Sequence, residues 1–447
     1  MDVFSIGVLY IGSALLLLLS GIPIAFALGG VAVTFMFLFL PASNIQIIAE
    51  TIYGELNNFT LLAIPLFILM GSAVGKTRAA VDLYESMHRW FYRLPGGLGV
   101  ANVAGCSIFA AMCGSSPATC AAIGGMGIPE MRRRGYSPAL ASGLIAAGGT
   151  LGILIPPSIT LIIYGIIVEQ SIGKLFLAGV IPGFLLASWF AAWVVIAFLR
   201  EKRRAQAGQG GELAKEMLRE ENFTWRERLK TLPRLLPFLA LIVLVMVALY
   251  GGFATPSEVA AVGAFGAMAL VAIVYRTYRW KDIKGILAGT ARESCMIMMI
   301  IAMAFLFTYV MSYLHISQSA TEWLVGLKMS KWAYLFWVNV LLLVLGCFLP
   351  PVAIILMVTP VIMPGILAHG FNPIWFGIVM TINMEMGLIT PPVGLNLFVI
   401  NGIAPDIPFR EIMWGVLPFI AIMAIYIVLL AVFPNIVMWL PDRLLGA

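Results

Sequence analysis

The sequence predicts an all-α, polytopic membrane protein built from two related halves. Three observations carry that expectation: an extreme apolar composition, a ladder of span-length apolar runs, and a self-match at one fixed offset. Of 447 residues, 61% are hydrophobic and only 11% charged, with a mean hydropathy of +1.01. A soluble domain carries roughly 25% charged residues, so this surface belongs in lipid. At about 20 residues per span the chain has room for roughly 11 to 14 crossings. An anchor needs far fewer, so the membrane part is itself the working part.

Apolar runs cover 4–20, 23–41, 59–75, 95–114, 138–167 and 172–199. A polar stretch, 200–234, follows with ten Lys/Arg and six Glu. It reads as a cytoplasmic loop with some helical character. Apolar runs resume at 235–250, 256–275, 293–314, 333–349, 352–368, 373–402 and 412–440. Ala79–Leu94 and Tyr275–Ala288 mix charge with aromatics, which suits helices lying in the interface and equally an ordinary loop helix. The net charge of +6 sits in short loops between apolar runs, so it is membrane-flanking charge rather than a nucleic-acid surface. No Lys or Arg precedes Lys76, and basic residues cluster at 76–93, 132–134, 200–234 and 276–292. Positive-inside bias therefore puts those clusters in the cytoplasm and the N-terminus outside. The first run lacks a basic leader and reads as a mature span. Cys106, Cys113, Cys120, Cys295 and Cys347 lie in apolar stretches without CxxC spacing, which indicates neither a disulfide framework nor a zinc site.

At an offset of 235 residues Pro129, Gly135, Pro138, Gly152, Pro156 and Pro157 match Pro364, Gly370, Pro373, Gly387, Pro391 and Pro392. An earlier pair, 22–30 and 255–263, matches at offset 233. Two related halves are a hallmark of secondary transporters. Proline lacks an N–H and clashes with the preceding turn, so each Pro-Pro pair interrupts a helix near mid-depth. Gly152 and Gly387, four residues earlier, are expected to let the unwound backbone turn. Irregular backbone at that depth survives only inside protein or beside a watery cavity. Upstream of each break lies a second interruption, Cys113–Thr119 in one half and Gly346–Pro351 in the other. Each half thus reads as a re-entrant hairpin followed by a discontinuous helix.

The motifs GSSPATCAAIG, GILIPPSI and MEMGLITPPVGLNLFV resemble the large membrane subunit (DctM-like) of tripartite ATP-independent periplasmic transporters over nearly the whole chain. The resemblance implies an inverted-repeat, elevator-type, sodium-driven transporter of organic acids such as C4-dicarboxylates or sialic acid. It would sit in the bacterial inner membrane beside a small four-helix membrane subunit and a periplasmic substrate-binding protein. The implied division is 1–94 scaffold with a first interfacial arm, 95–170 moving half 1, 171–199 scaffold and 200–234 cytoplasmic loop. It continues with 235–332 scaffold and second arm, 333–403 moving half 2, and 404–447 C-terminal scaffold.

Carried over position by position, one sodium falls to Cys113, Ser115, Gly152, Ile155 and Pro157, mostly through backbone oxygens. Cys113 stands where the family leads one to expect serine. A second falls to Gly346, Leu349, Gly387, Thr390 and Val393, and Pro350 stands where family members often carry an acid. Substrate is expected between the breaks, where helix N-termini suit a carboxylate. Hydrogen-bonding candidates there are Ser116, Thr119, Thr150, Ser158 and Asn396, with helix packing as their alternative role. Glu385, a carboxylate inside a long apolar run, is functional by default, but anchoring an unwound segment through backbone N–H bonds is the favoured role, since a fixed anion close to an anionic substrate would repel it. Glu258 suits capping the helix after Pro256, and Arg132–Arg134 a cytoplasmic hairpin turn.

A stand-alone sodium/dicarboxylate or citrate symporter of related fold is the alternative within the class. No phosphate loop of the GxxxxGK[ST] type is present, so no coupling to ATP is expected, and no cofactor is implied beyond sodium as the coupling ion. An enzyme would need clustered acids or a Ser/His or metal set at depth; His88, His315 and His369 lie in loops or at the interface. Two buried breaks also suit occlusion of a solute better than an open pore.

Overall fold

The computed structural model describes residues 2–41, 47–207, 223–326 and 329–446. These residues form helices and short links, with no strand among them. The first helices are α1 (Val3–Leu19), α2 (Ile24–Phe39), α3 (Ile47–Leu56), α4 (Ala63–Gly75) and α5 (Ala79–Phe91). The first half's centre follows: α6 (Gly97–Cys113), α7 (Ser116–Arg133), α8 (Pro138–Thr150) and α9 (Ile159–Ile167). Next come α10 (Ile172–Gln206), α11 (Trp225–Leu229), α12 (Leu232–Tyr250), α13 (Pro256–Val274), α14 (Trp280–Tyr313) and α15 (Ile316–Gly326). The second half's centre is α16 (Lys331–Gly346), α17 (Pro351–Ala368), α18 (Pro373–Leu388) and α19 (Leu395–Ile403). The chain closes with α20 (Phe409–Val432) and α21 (Asn435–Leu445).

Among the described residues six helices, α10, α12, α13, α14, α17 and α20, are long and apolar enough to cross a membrane, and the bent pair α3–α4, at 61°, makes a seventh. Other apolar helices are shorter, and the reason is punctuation. At 1.5 Å per residue, α8 with its 13 residues reaches about 20 Å, short of a hydrocarbon core of about 30 Å. Both interrupted helices open with the same grammar. Ser137 Oγ accepts from Leu140 N–H at 3.2 Å ahead of Pro138. Asn372 Oδ1 accepts from Ile374 N–H at 2.8 Å ahead of Pro373. A polar cap with proline in the first turn satisfies donors that have no intrahelical partner. Both end before a Pro-Pro pair, whose peptide bonds are cis.

Two reading frames change against the sequence expectation. The run expected to start at 293 and the part of the interfacial segment from Trp280 onward share one 34-residue helix, α14. Arg292 and Glu293 had split the apolar signal without stopping the helix. Of the polar stretch 200–234, α10 takes residues up to Gln206 and α11 spans Trp225–Leu229; residues 208–222 lie outside those described.

Helices α2, α3, α4 and α15 pack on α14, with α1 against α2 and α15 and α13 against α4, while α6–α9 pack with α10 and α16–α20. Tyr10 shows how the first group is locked. Its ring stacks on Phe307 at 4.3 Å, and its hydroxyl donates to Phe307 O at 2.9 Å. Such a pair adds about 0.5–1.5 kcal/mol beyond burial.

Candidate functional site

In the first half, α6 ends at Gly114 in the left-handed region (φ +64°), and Ser115, extended, starts α7. Helix α8 passes through a short tight turn, Leu151–Ile153, before Pro156-Pro157. A Cβ on Gly152 would collide with Ala110 of α6. The glycine thus lets the end of α8 press onto the end of α6. This corrects its expected role, because its φ is not positive and no turn depends on it. The second half repeats the contact: a Cβ on Gly387 would lie 2.5 Å from the Gly346 carbonyl carbon. Gly394 (φ +57°) then ends the break, and its N–H donates to Cys347 O at 3.1 Å.

In both halves, therefore, two helix C-termini converge: α6 with α8, and α16 with α18. The last carbonyls of a helix lack intrahelical partners, and each end carries roughly −0.5 of a charge. Two ends sum to about one negative charge, which suits a monovalent, oxygen-seeking cation. Just beyond each convergence a fresh N-terminus begins. Helices α7 and α17 carry no side-chain cap there and have proline in their first turn. Uncapped N-termini suit an anion. One short stretch of each half therefore sets two converging helix C-termini beside an uncapped helix N-terminus.

Of the residues assigned to the first cation, Gly152, Ile155 and Pro157 are buried and Cys113 and Ser115 half-buried at the turn between α6 and α7. Of those assigned to the second, Gly346, Leu349 and Gly387 are buried, and Thr390 and Val393 half-buried. Helix α10 covers the first break: a Cβ on Gly179 would strike Leu154 O, and one on Gly183 would lie 2.8 Å from Ile155 Cγ1. The G-xxx-G spacing of Gly179 and Gly183, which brings backbones close, is a legible signal that the sequence reading passed over.

All five substrate candidates are buried and hold bonds within the protein. Thr119 Oγ1 donates to Ser115 O at 2.9 Å, and Thr150 Oγ1 to Ala147 O at 2.6 Å. Ser158 Oγ accepts from Leu161 N–H at 3.3 Å, capping α9. Asn396 Nδ2 donates to Ala146 O at 3.2 Å, and its Oδ1 has no partner among the described residues. Ser116 Oγ donates to Glu385. Glu385 therefore takes a hydroxyl from the opposite half, not the backbone N–H groups expected of an anchor. Glu258 does cap α13, closing a capping box with Thr255. Arg132 pairs with Asp406 across the halves, and this hydrogen bond holds the Asp406 carboxyl below its usual range. A separate cavity of about 540 Å³, lined by Asn58, Thr60, Glu169, Gln170 and Pro256 among others, contains none of the assigned residues.

Comparison with known proteins places this arrangement. Residues 11–436 match the family model described as the tripartite ATP-independent periplasmic transporter, DctM component. A C4-dicarboxylate TRAP transporter large permease protein DctM from Pseudomonas aeruginosa is 38% identical over 407 residues, covering 91% of this chain and 92% of that protein. The protein of the same description from Rhodobacter capsulatus is 34% identical over 450 residues, 97% and 98% of the two chains. Among solved structures, the YdaH transporter of Alcanivorax borkumensis shares the fold, with a TM-score of 0.62 at 15% identity over 89% of this chain and 90% of that one.

Proposed function

Because this chain belongs to the DctM family of tripartite ATP-independent periplasmic transporter components, a transporter subunit rather than an enzyme, we propose that it carries an organic acid of the C4-dicarboxylate kind across the bacterial inner membrane, driven by sodium. One observation supports this best: in each half a glycine before the Pro-Pro pair brings two helix C-termini into backbone contact. Sodium is a hard cation and takes such carbonyl oxygens. We assign one ion to Cys113, Ser115, Gly152, Ile155 and Pro157, and a second to Gly346, Leu349, Gly387, Thr390 and Val393. Substituting cysteine for serine at 113 leaves the backbone oxygen in place. Bound sodium draws the substrate carboxylate toward the uncapped starts of α7 and α17, with Asn396 and the buried hydroxyls shaping the space.

Orientation follows from charge: the N-terminus periplasmic, the 200–234 stretch cytoplasmic. Helix pairs α6–α7 and α16–α17 are then re-entrant hairpins from opposite faces, an inverted repeat. In this reading 95–170 and 333–403 move as an elevator against the remaining helices, which a small four-helix subunit enlarges. A periplasmic binding protein delivers the substrate.

The test is uptake of labelled C4-dicarboxylate into proteoliposomes holding this chain and its small membrane partner. Uptake is expected only with an inward sodium gradient and the loaded binding protein. Sodium-driven uptake without that protein would favour the stand-alone symporter, and uptake indifferent to sodium would remove the coupling scheme.

A further inference from the structure

Glu385 is fully buried on α18, two residues before Gly387. A carboxyl group at this depth is costly, and its surroundings show what it reaches. Oε2 accepts from Ser116 Oγ, while Oε1 has no hydrogen-bond partner among the described residues. Ser116 directly follows Ser115. One hydrogen bond thus joins a side chain next to the first proposed cation seat to a side chain next to the second. The bond spans 269 positions of sequence.

Beyond the break, Asn396 makes a second crossing. Its amide donates to Ala146 O, the carbonyl that Cys120 Sγ also approaches at 3.7 Å. Cys120 lies one turn along α7 from Ser116. The second broken helix is therefore held to the first half on both sides of its break, through α7 and α8. The relation is not reciprocal. At the position 235 residues before Glu385, Thr150 bonds only its own helix.

We propose that Glu385 is a positioning residue that couples the two cation seats, so that filling one sets the geometry of the other. The inference rests on the sodium reading above. Ordering the hairpin turn at Ser115 fixes Ser116, and Ser116 fixes the α18 terminus that carries Gly387. The coupling needs an acceptor oxygen facing Ser116, not a charge. A distant pair of sites sharing a hydrogen-bonded link gains cooperativity of this kind.

The experiment is initial uptake in proteoliposomes as a function of sodium concentration. The unsubstituted protein is expected to show a Hill coefficient for sodium approaching about 2, the number of seats. Glu385→Ala brings it to about 1 and raises the half-saturating sodium concentration about tenfold, with uptake at saturating sodium largely retained. Ser116→Ala lowers the Hill coefficient equally, and the double variant lowers it no further. Glu385→Gln keeps an acceptor and restores the cooperativity. If Gln behaves as Ala, a charge is at work and the positioning role is overturned. A loss of maximal uptake with unchanged cooperativity overturns it too, as do effects of the two alanines that multiply. Where Glu385→Ala fails to insert, Ser116→Ala and Glu385→Gln still decide. A Hill coefficient of one in the unsubstituted protein removes the coupling while leaving sodium drive intact; absent sodium dependence removes both.

Discussion

At the first break every residue from Leu151 to Thr160 is buried, whereas at the second Thr390, Pro391 and Val393 are half-buried and Pro392 is exposed. The two breaks share their Gly-xxx-Pro-Pro text, so the difference comes from what lies beside them. Gly179 and Gly183 let α10 close over Leu154 and Ile155. At the positions 235 residues on, α20 carries Trp414 and Pro418, and Trp414 is 61% exposed. Among the described residues no cover of the same kind forms there. The closed break needs no further tie, while the open one is tied back by Gly394 N–H to Cys347 O and by Glu385 and Asn396 to the first half. One duplicated motif thus yields one break sealed by backbone packing and one left more open. Under the sodium reading proposed above, the ion assigned to the second break is the one expected to exchange more readily.

The largest effect is expected where the halves are alike. Gly387→Val places branched carbons against the Gly346 backbone, and Gly152→Val against Ala110. Overpacking of this sort costs about 1–3 kcal/mol, or about tenfold in ion affinity per 1.4 kcal/mol. Both variants should insert normally and lose most sodium-dependent uptake. Full transport by Gly387→Val would remove the second seat from the scheme and leave the halves functionally unequal.

A smaller effect tests the cover itself. In a background lacking reactive cysteines, Thr390→Cys should react with a membrane-impermeant maleimide and Ile155→Cys should not. Adding Gly179→Leu, whose new carbons meet the Leu154 carbonyl, should lift α10 and make Ile155→Cys reactive. Gly183→Leu should do so less, because its nearest neighbour is the Ile155 side chain at 2.8 Å, with backbone no nearer than 3.6 Å, whereas Gly179 faces a backbone oxygen at 2.3 Å. Equal labelling at 155 and 390 before any such change would show that the contrast between the breaks is not one of access.

Much of this was legible in the chain. Periodic Gly and Pro at one offset located both interrupted helices, since those residues act on their own backbone and need no partner to be read. The partner surfaces were harder. Nothing local says that Gly152 faces Ala110, so the glycine was read as a turn when it serves close packing. Arg292 and Glu293 broke a hydropathy signal without breaking α14, because charged residues are good helix formers. The Ser116–Glu385 bond joins positions that only the fold brings together. By contrast, Gly179 and Gly183 were available at four-residue spacing on an apolar run, and their absence from the matching place in α20 was available too.

The smallest effect is expected at the rim, where the halves meet again through Arg132 and Asp406. Their side chains are 36% and 58% exposed, and an exposed pair is screened by solvent and salt. Arg132 lowers the Asp406 carboxyl below its usual range, so whatever the pair contributes is present above the unfolded aspartate value of about 3.9. That contribution is lost only as pH falls through the lower, folded value. Between pH 5 and pH 8 the pair should therefore impose no pH dependence on transport. Asp406→Asn should change uptake at pH 7 by less than about twofold, far below the effect of Glu385→Ala on sodium dependence. The buried crossing and the exposed one differ in what replaces them when broken: water fills in for Arg132, and nothing fills in for Ser116. A large loss of uptake in Asp406→Asn would mean that the rim, not the buried bond, keeps the two halves in register.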